Sequence, residues 1–80
     1  MYKYFFHLRD GTDEVLDPEG VALPLDAISG AALTAARDCM AGDVKNGRLE
    51  LNYRIDVHGE DGALVHTQSF ADALEIVPSR

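Results

Sequence analysis

Leu49-Glu50-Leu51-Asn52-Tyr53-Arg54-Ile55-Asp56-Val57-His58 alternates apolar and polar side chains over its whole length. A period of two belongs to a β-strand, where successive side chains point to opposite faces. Leu49, Leu51, Tyr53, Ile55 and Val57 share one face; Glu50, Asn52, Arg54, Asp56 and His58 share the other. The stretch therefore predicts one long strand over 48–58, with a buried face and a wetter one. Gly59-Glu60-Asp61-Gly62 reads as a hairpin turn, and 63–69 as the returning strand. Pairing residue 58 with 63 sets Leu64 opposite Val57 on the core face, and puts Val65 and Thr67 beside His58 and Asp56. A slip of one residue exchanges those faces.

Upstream, residues 26–46 predict the one long helix. Ile28, Ala32, Ala35/Ala36, Cys39/Met40 and Val44 recur at helical spacing. Asp26 is the candidate N-cap, because a carboxylate there accepts from the free amides of the first turn. Lys45 suits the negative helix end, and Gly47 the left-handed position that follows. The buried stripe is mostly alanine, which favours close packing on a sheet. Gly30 is expected to mark a close approach to a strand.

Toward the N-terminus, residues 2–8 read as a strand. Tyr2, Tyr4, Phe6 and Leu8 lie on one face, and Lys3, Phe5, His7 and Arg9 on the other. Asp10-Gly11-Thr12-Asp13 is a turn and Glu14–Leu16 a short second strand. Asp17-Pro18-Glu19-Gly20 is another turn, and Val21–Leu23 extends the chain before Pro24. Phe70–Val77 forms a short helix or an extended tail. The order is β-β-α-β-β with a C-terminal element. The fold class is α+β: a three- to four-stranded antiparallel or mixed sheet with one long helix on one face, residues 1–80 forming a single domain.

Composition narrows the function. The chain has 80 residues and a net charge of −7. Phosphate repels such a chain, so neither direct nucleic-acid binding nor docking on an anionic membrane is expected. One cysteine, Cys39, excludes an internal disulfide and a multi-cysteine zinc site. No run approaches the length of a membrane span, and the opening residues reach charge too soon for a signal peptide. A cytoplasmic location is expected.

Tyr4-Phe5-Phe6-His7, followed by Asp10-Gly11, Asp17, Gly20 and Leu23, resembles the opening of a family of small bacterial proteins of unknown function. The resemblance continues through the alanine-rich helix, Ile55-Asp56-Val57, Asp61-Gly62, Leu64 and Phe70. It implies a compact cytoplasmic α+β protein and no known activity, cofactor or catalytic residue. A second likeness, to antitoxin domains of β-β-α-β order, is one of fold alone.

Few residues carry candidate chemistry. His7 and His58 approach each other if the first and third strands are neighbours, with Asp56 near. Two imidazoles and a carboxylate are a donor set for a transition metal, although their spacing matches no metal motif. The plain alternative for His7 is a sheet-surface histidine bonded to a turn backbone. Asp10, Asp13, Glu14, Asp17 and Glu19 form an acidic run without the alternating pattern of a calcium loop. Cys39 reads as a buried structural thiol. No catalytic, cofactor-binding or metal residue is assigned. The surface to watch comprises Phe5, His7, Arg54, Asp56 and His58, on the sheet face that a single helix leaves bare. The sequence thus points to a non-enzymatic protein-interaction or regulatory module, with a protein partner or a second copy of itself. Arg54 and Asp56 are placed to pair across a two-fold axis. The alternatives are a small metal-binding protein or enzyme using His7 and His58, and an acidic antitoxin-like or nucleic-acid-mimicking protein.

Overall fold

A computed structural model describes residues 1–79. Five strands and one helix follow in the order β1 (Tyr2–Arg9), β2 (Glu14–Val15), β3 (Val21–Leu23), α1 (Ile28–Lys45), β4 (Arg54–Gly59) and β5 (Leu64–Ser69). Short 3-10 turns at Leu25–Ala27 and Ala71–Ala73 lead into α1 and out of β5. Among the described residues all pairings are antiparallel, and no mixed sheet forms. β1 and β4 are central, and β5 is one edge. The other edge is divided: β2 pairs with Leu8 and Arg9, while β3 pairs with Tyr2 to Tyr4, so both lie against the same side of β1.

The strand count exceeds the expected three to four because Val21–Leu23 is a strand. Three residues carry too little alternation to declare themselves; their partner on β1 makes them a strand. The long strand expected over 48–58 is shorter than its pattern for the converse reason. Arg54 pairs with Arg9 on one side and Ser69 on the other, and there both neighbours end. One further bond, from Phe70 N–H to the Tyr53 carbonyl, closes the ladder. Leu51 and Tyr53 still pack against the core from the incoming loop, so alternation of burial outlasts the strand. Leu49 is exposed.

The core lies between α1 and one sheet face. Tyr4, Ile55 and Val57 meet Ile28, Ala32, Ala36 and Met40, with Phe70 and Ala73 closing the end. Val57 has no exposed surface and Ile55 only 3 %; such a side chain contributes about 1.5–3 kcal/mol by leaving water. Methyl side chains at Ala32 and Ala36 let the helix seat closely. Val44, expected in the same stripe, is 58 % exposed because the helix outruns the sheet.

Several local expectations change. Asp26 belongs to the 3-10 turn and caps nothing; α1 starts at Ile28 after Ala27, without a side-chain cap. Gly30 has nothing within 4 Å of where a Cβ would stand, so it marks no close approach. At the other end, Gly47 has φ +80. Its N–H reaches the Val44 carbonyl and the Arg48 N–H the Asp43 carbonyl, the double bond pattern that ends a helix on a left-handed residue. In the β4–β5 hairpin, His58 pairs with Leu64 and Val57 with His66, leaving Val65 as a bulge. Leu64 therefore shares the face of His58, and Thr67 that of Asp56. Val65 instead borders a groove with Tyr2 and Tyr4. The inserted residue reverses the expected faces of Leu64 and Val65 and leaves Thr67 where it was expected.

Candidate functional site

The face of the sheet away from α1 collects the residues singled out in the sequence. Cross-strand pairs Phe5–His58, His7–Asp56 and Arg9–Arg54 put Phe5, His7, Arg54, Asp56 and His58 on one surface. Within each strand their positions share a parity, odd in β1 and even in β4, and the antiparallel register brings them side by side.

Asp56 is the centre of this surface and is only 4 % exposed. A buried carboxylate requires partners. Arg54 Nε donates to both its oxygens at 3.1 Å, Arg9 Nη1 to Oδ2 at 3.3 Å, and Thr67 Oγ1 to Oδ1 at 3.0 Å. Burial acts to raise the Asp56 pKa. The Thr67 hydroxyl and the two guanidiniums outweigh it and hold the carboxyl below its ordinary value. Arg9 also pairs with Glu14 on β2 at 3.1 Å. Arg54 and Asp56 thus satisfy each other within one chain, which removes their expected pairing across a two-fold axis.

The histidines are equally engaged. His58 Nδ1 lies 2.9 Å from the Gly62 carbonyl and Nε2 lies 3.4 Å from Arg9 Nη1. With its hydrogen on Nδ1, the ring donates to the turn and accepts from the arginine. His7 Nδ1 accepts the Asp17 N–H at 3.0 Å. Its ring stacks on Phe5, with centroids 6.4 Å apart, and tilts against His58 at 5.2 Å. Burial, then His58 and Arg9, lower the His7 pKa below its ordinary value.

Asp17 links this face to the divided edge. Between β2 and β3 no strand is present to take the Phe6 N–H, and Asp17 Oδ2 accepts it at 3.2 Å. Asp17 Oδ1 takes the N–H groups of Glu19 and Gly20. Burial acts to raise this carboxyl, but the Gly20, Phe6 and Glu19 amides bring it below its ordinary value. Gly20 has φ +70, and a Cβ there would stand 2.9 Å from Lys3 Cγ, Phe5 Cε2 and the Tyr4 carbonyl oxygen. Only glycine fits. Asp10 repeats the device in the preceding turn, accepting from the Asp13 and Thr12 amides, which lower its pKa.

Sequence reasoning missed Arg9 and Asp17 as members of this network. Arg9 carried a usable signal, its shared parity with His7. Asp17 carried none beyond its turn, because its role depends on the gap between two strands of two and three residues. Among the described residues, no group of three His, Cys, Asp or Glu side chains is arranged to hold a metal ion. Asp56 and both nitrogens of His58 are already in hydrogen bonds. Cys39 borders a cleft of about 470 Å³ with Asp43, Arg48 and Tyr53 at the end of α1. Burial, with Asp43 and Asp38, pushes its thiol pKa up, away from the thiolate.

Fold and site together define a small α+β domain in which one helix lies on an antiparallel sheet and an aspartate–glycine loop completes the outer edge of the first strand. The chain belongs to the DUF6894 family, a domain of unknown function, whose family model matches residues 3–71. That span holds the Asp17–Gly20 loop and the whole open-face network. No curated protein and no solved structure matches the chain.

Proposed function

We propose that this chain is a protein-interaction module without chemistry of its own, and that it binds an apolar segment of another protein on the helix side of β1 and β3. One observation carries the reading: a single helix does not cover five strands. α1 packs over β4 and β5. Beside it runs an apolar groove of about 260 Å³ lined by Phe6, Val21, Leu23, Ala31 and Ala35. Val15 and Val21 pair with Leu8 and Tyr4 and so project to the same side, where they are 64 % and 44 % exposed. Exposed apolar surface beside a groove is the usual material of a protein interface. On the polar face opposite, Asp56, Arg9 and Arg54 and the nitrogens of His58 are satisfied by one another and by the turn, which leaves them little to offer a substrate. Among the described residues no helix is long and apolar enough to cross a membrane. A lone thiol suits a reducing compartment such as the cytoplasm.

Placing a photo-crosslinking amino acid at Val21, and at exposed Asn52 as the control, tests this in the native host. A defined protein adduct from position 21, absent from position 52 and lost when Leu23→Asp is added, supports the reading. Identical adducts from the two positions contradict it.

A further inference from the structure

We propose that β5 is a docking edge for a second copy of this chain, joining two sheets into one across a two-fold axis. The ladder to β4 fixes which backbone groups are free. Phe70 N–H bonds to the Tyr53 carbonyl. In an antiparallel pair the bonded positions alternate, so Gln68 and His66 face β4 and Thr67 and Ser69 turn their amides and carbonyls outward. Gln68 Nε2 donates to the Ser69 carbonyl at 3.0 Å, which leaves that oxygen its second lone pair for a further donor. Among the described residues no strand lies beyond β5. The other edge is closed by short strands, by Pro18 and Pro24, by carboxylates and by the Asp17 bonds to the Phe6, Glu19 and Gly20 amides. Those are the devices that keep edges from pairing. Past the bulge, His66–Ser69 of β5 contains no proline and no Asp, Glu, Lys or Arg.

Charge identifies the occupant. A chain of net charge −7 repels its own copy. Residues 62–71, between Asp61 and Asp72, carry no Asp, Glu, Lys or Arg, so two copies meet there without opposing carboxylates. The outward groups also fix the register. With Gln68 on the axis, Thr67 of each chain faces Ser69 of the other, and their N–H and C=O groups form four main-chain bonds. The Thr67 and Ser69 hydroxyls then lie opposite each other on one face, and the two Gln68 amides meet on the other. Cross-strand hydroxyl pairs of this kind are favourable. The pairing stops at the Val65 bulge. It leaves the groove at Val21 free and does not depend on that groove having a partner.

Sedimentation equilibrium of the full chain from micromolar to millimolar concentration tests the proposal, with Thr67→Pro and Gln68→Glu as variants. Proline is tolerated where an edge N–H faces solvent, and it removes one outward donor per chain. Glutamate sets two carboxylates together on the axis. The expected result is a dimer of the wild-type chain, with dissociation constants at least tenfold weaker in both variants and unchanged circular dichroism. Should Thr67→Pro fail to fold, Gln68→Glu decides alone. A wild-type monomer throughout overturns the proposal. So does a dimer that tolerates Gln68→Glu but dissociates on Val21→Lys, which would put self-association at the groove.

Discussion

At its β2–β3 edge the sheet is finished by side chains. Two short strands flank a gap, Asp17 spans it by accepting the Phe6 amide, and His7 takes the Asp17 amide in return. At its β5 edge the sheet simply stops, with six residues of strand and no charged side chain among them. Both edges expose backbone, but only the first is supplied with acceptors from its own loop. All 14 Asp and Glu residues lie outside 62–71, and the edge that lacks them is the one left open to another strand.

The largest expected effects fall on the closed edge. Gly20→Ala forces an alanine to φ +70 with its Cβ 2.9 Å from the Tyr4 carbonyl. The backbone alone costs about 1–3 kcal/mol, and the contact adds to it. Asp17→Ala strips the Phe6, Glu19 and Gly20 amides of their acceptor and should cost about 2 kcal/mol. Denaturant midpoints measure both. If the two variants are as stable as the wild type, the loop does not close the edge and the contrast fails.

A smaller effect is pH-dependent and sharpens the same contrast. The His7 pKa lies below its ordinary 6.5, through burial and the nearby His58 and Arg9 charges, against the weaker pull of Asp17 and Glu14. The unfolded chain therefore takes up this proton first. Stability is full above pH 6.5 and declines as pH falls through the folded value. Protonation at Nδ1 also removes the acceptor for the Asp17 amide. His7→Asn keeps an acceptor for that amide but does not titrate, so its melting temperature should stay flatter between pH 6.5 and about pH 5. The Asp17 and Asp56 carboxyls, lowered from 3.8, add a further loss of stability only below that pH, in wild type and variant alike. Parallel pH profiles for the two chains would show that His7 does not serve the edge.

The two edges also differ in how far the sequence reveals them. The alternation at Ile55 and Val57 marks the core strand, and the parity that Phe5 shares with His7, and Asp56 with His58, marks the open face, because both depend only on a period of two. Helical spacing finds Ile28, Ala32, Ala36 and Met40 in the same way. The strand limits at Arg54 and Val21 depend on where neighbouring strands begin and end, which no local pattern encodes. The Val65 bulge adds a residue to β5 and reverses the faces of Leu64 and Val65, as any count of positions from the turn must miss. Asp17 and Gly20 are visible as a turn. Their service to the Phe6 amide is a long-range fact, and so is the outward turn of the Thr67 and Ser69 backbone on the free side of β5.

Amide hydrogen exchange, read residue by residue in dilute and in concentrated protein, tests most directly the claim that one edge is closed within the chain and the other open. The Phe6 amide, held by Asp17, should be protected at every concentration. The Thr67 amide should exchange quickly in dilute solution and become protected as concentration rises. Rapid exchange at Phe6, or protection at Thr67 that does not change with concentration, would contradict the account.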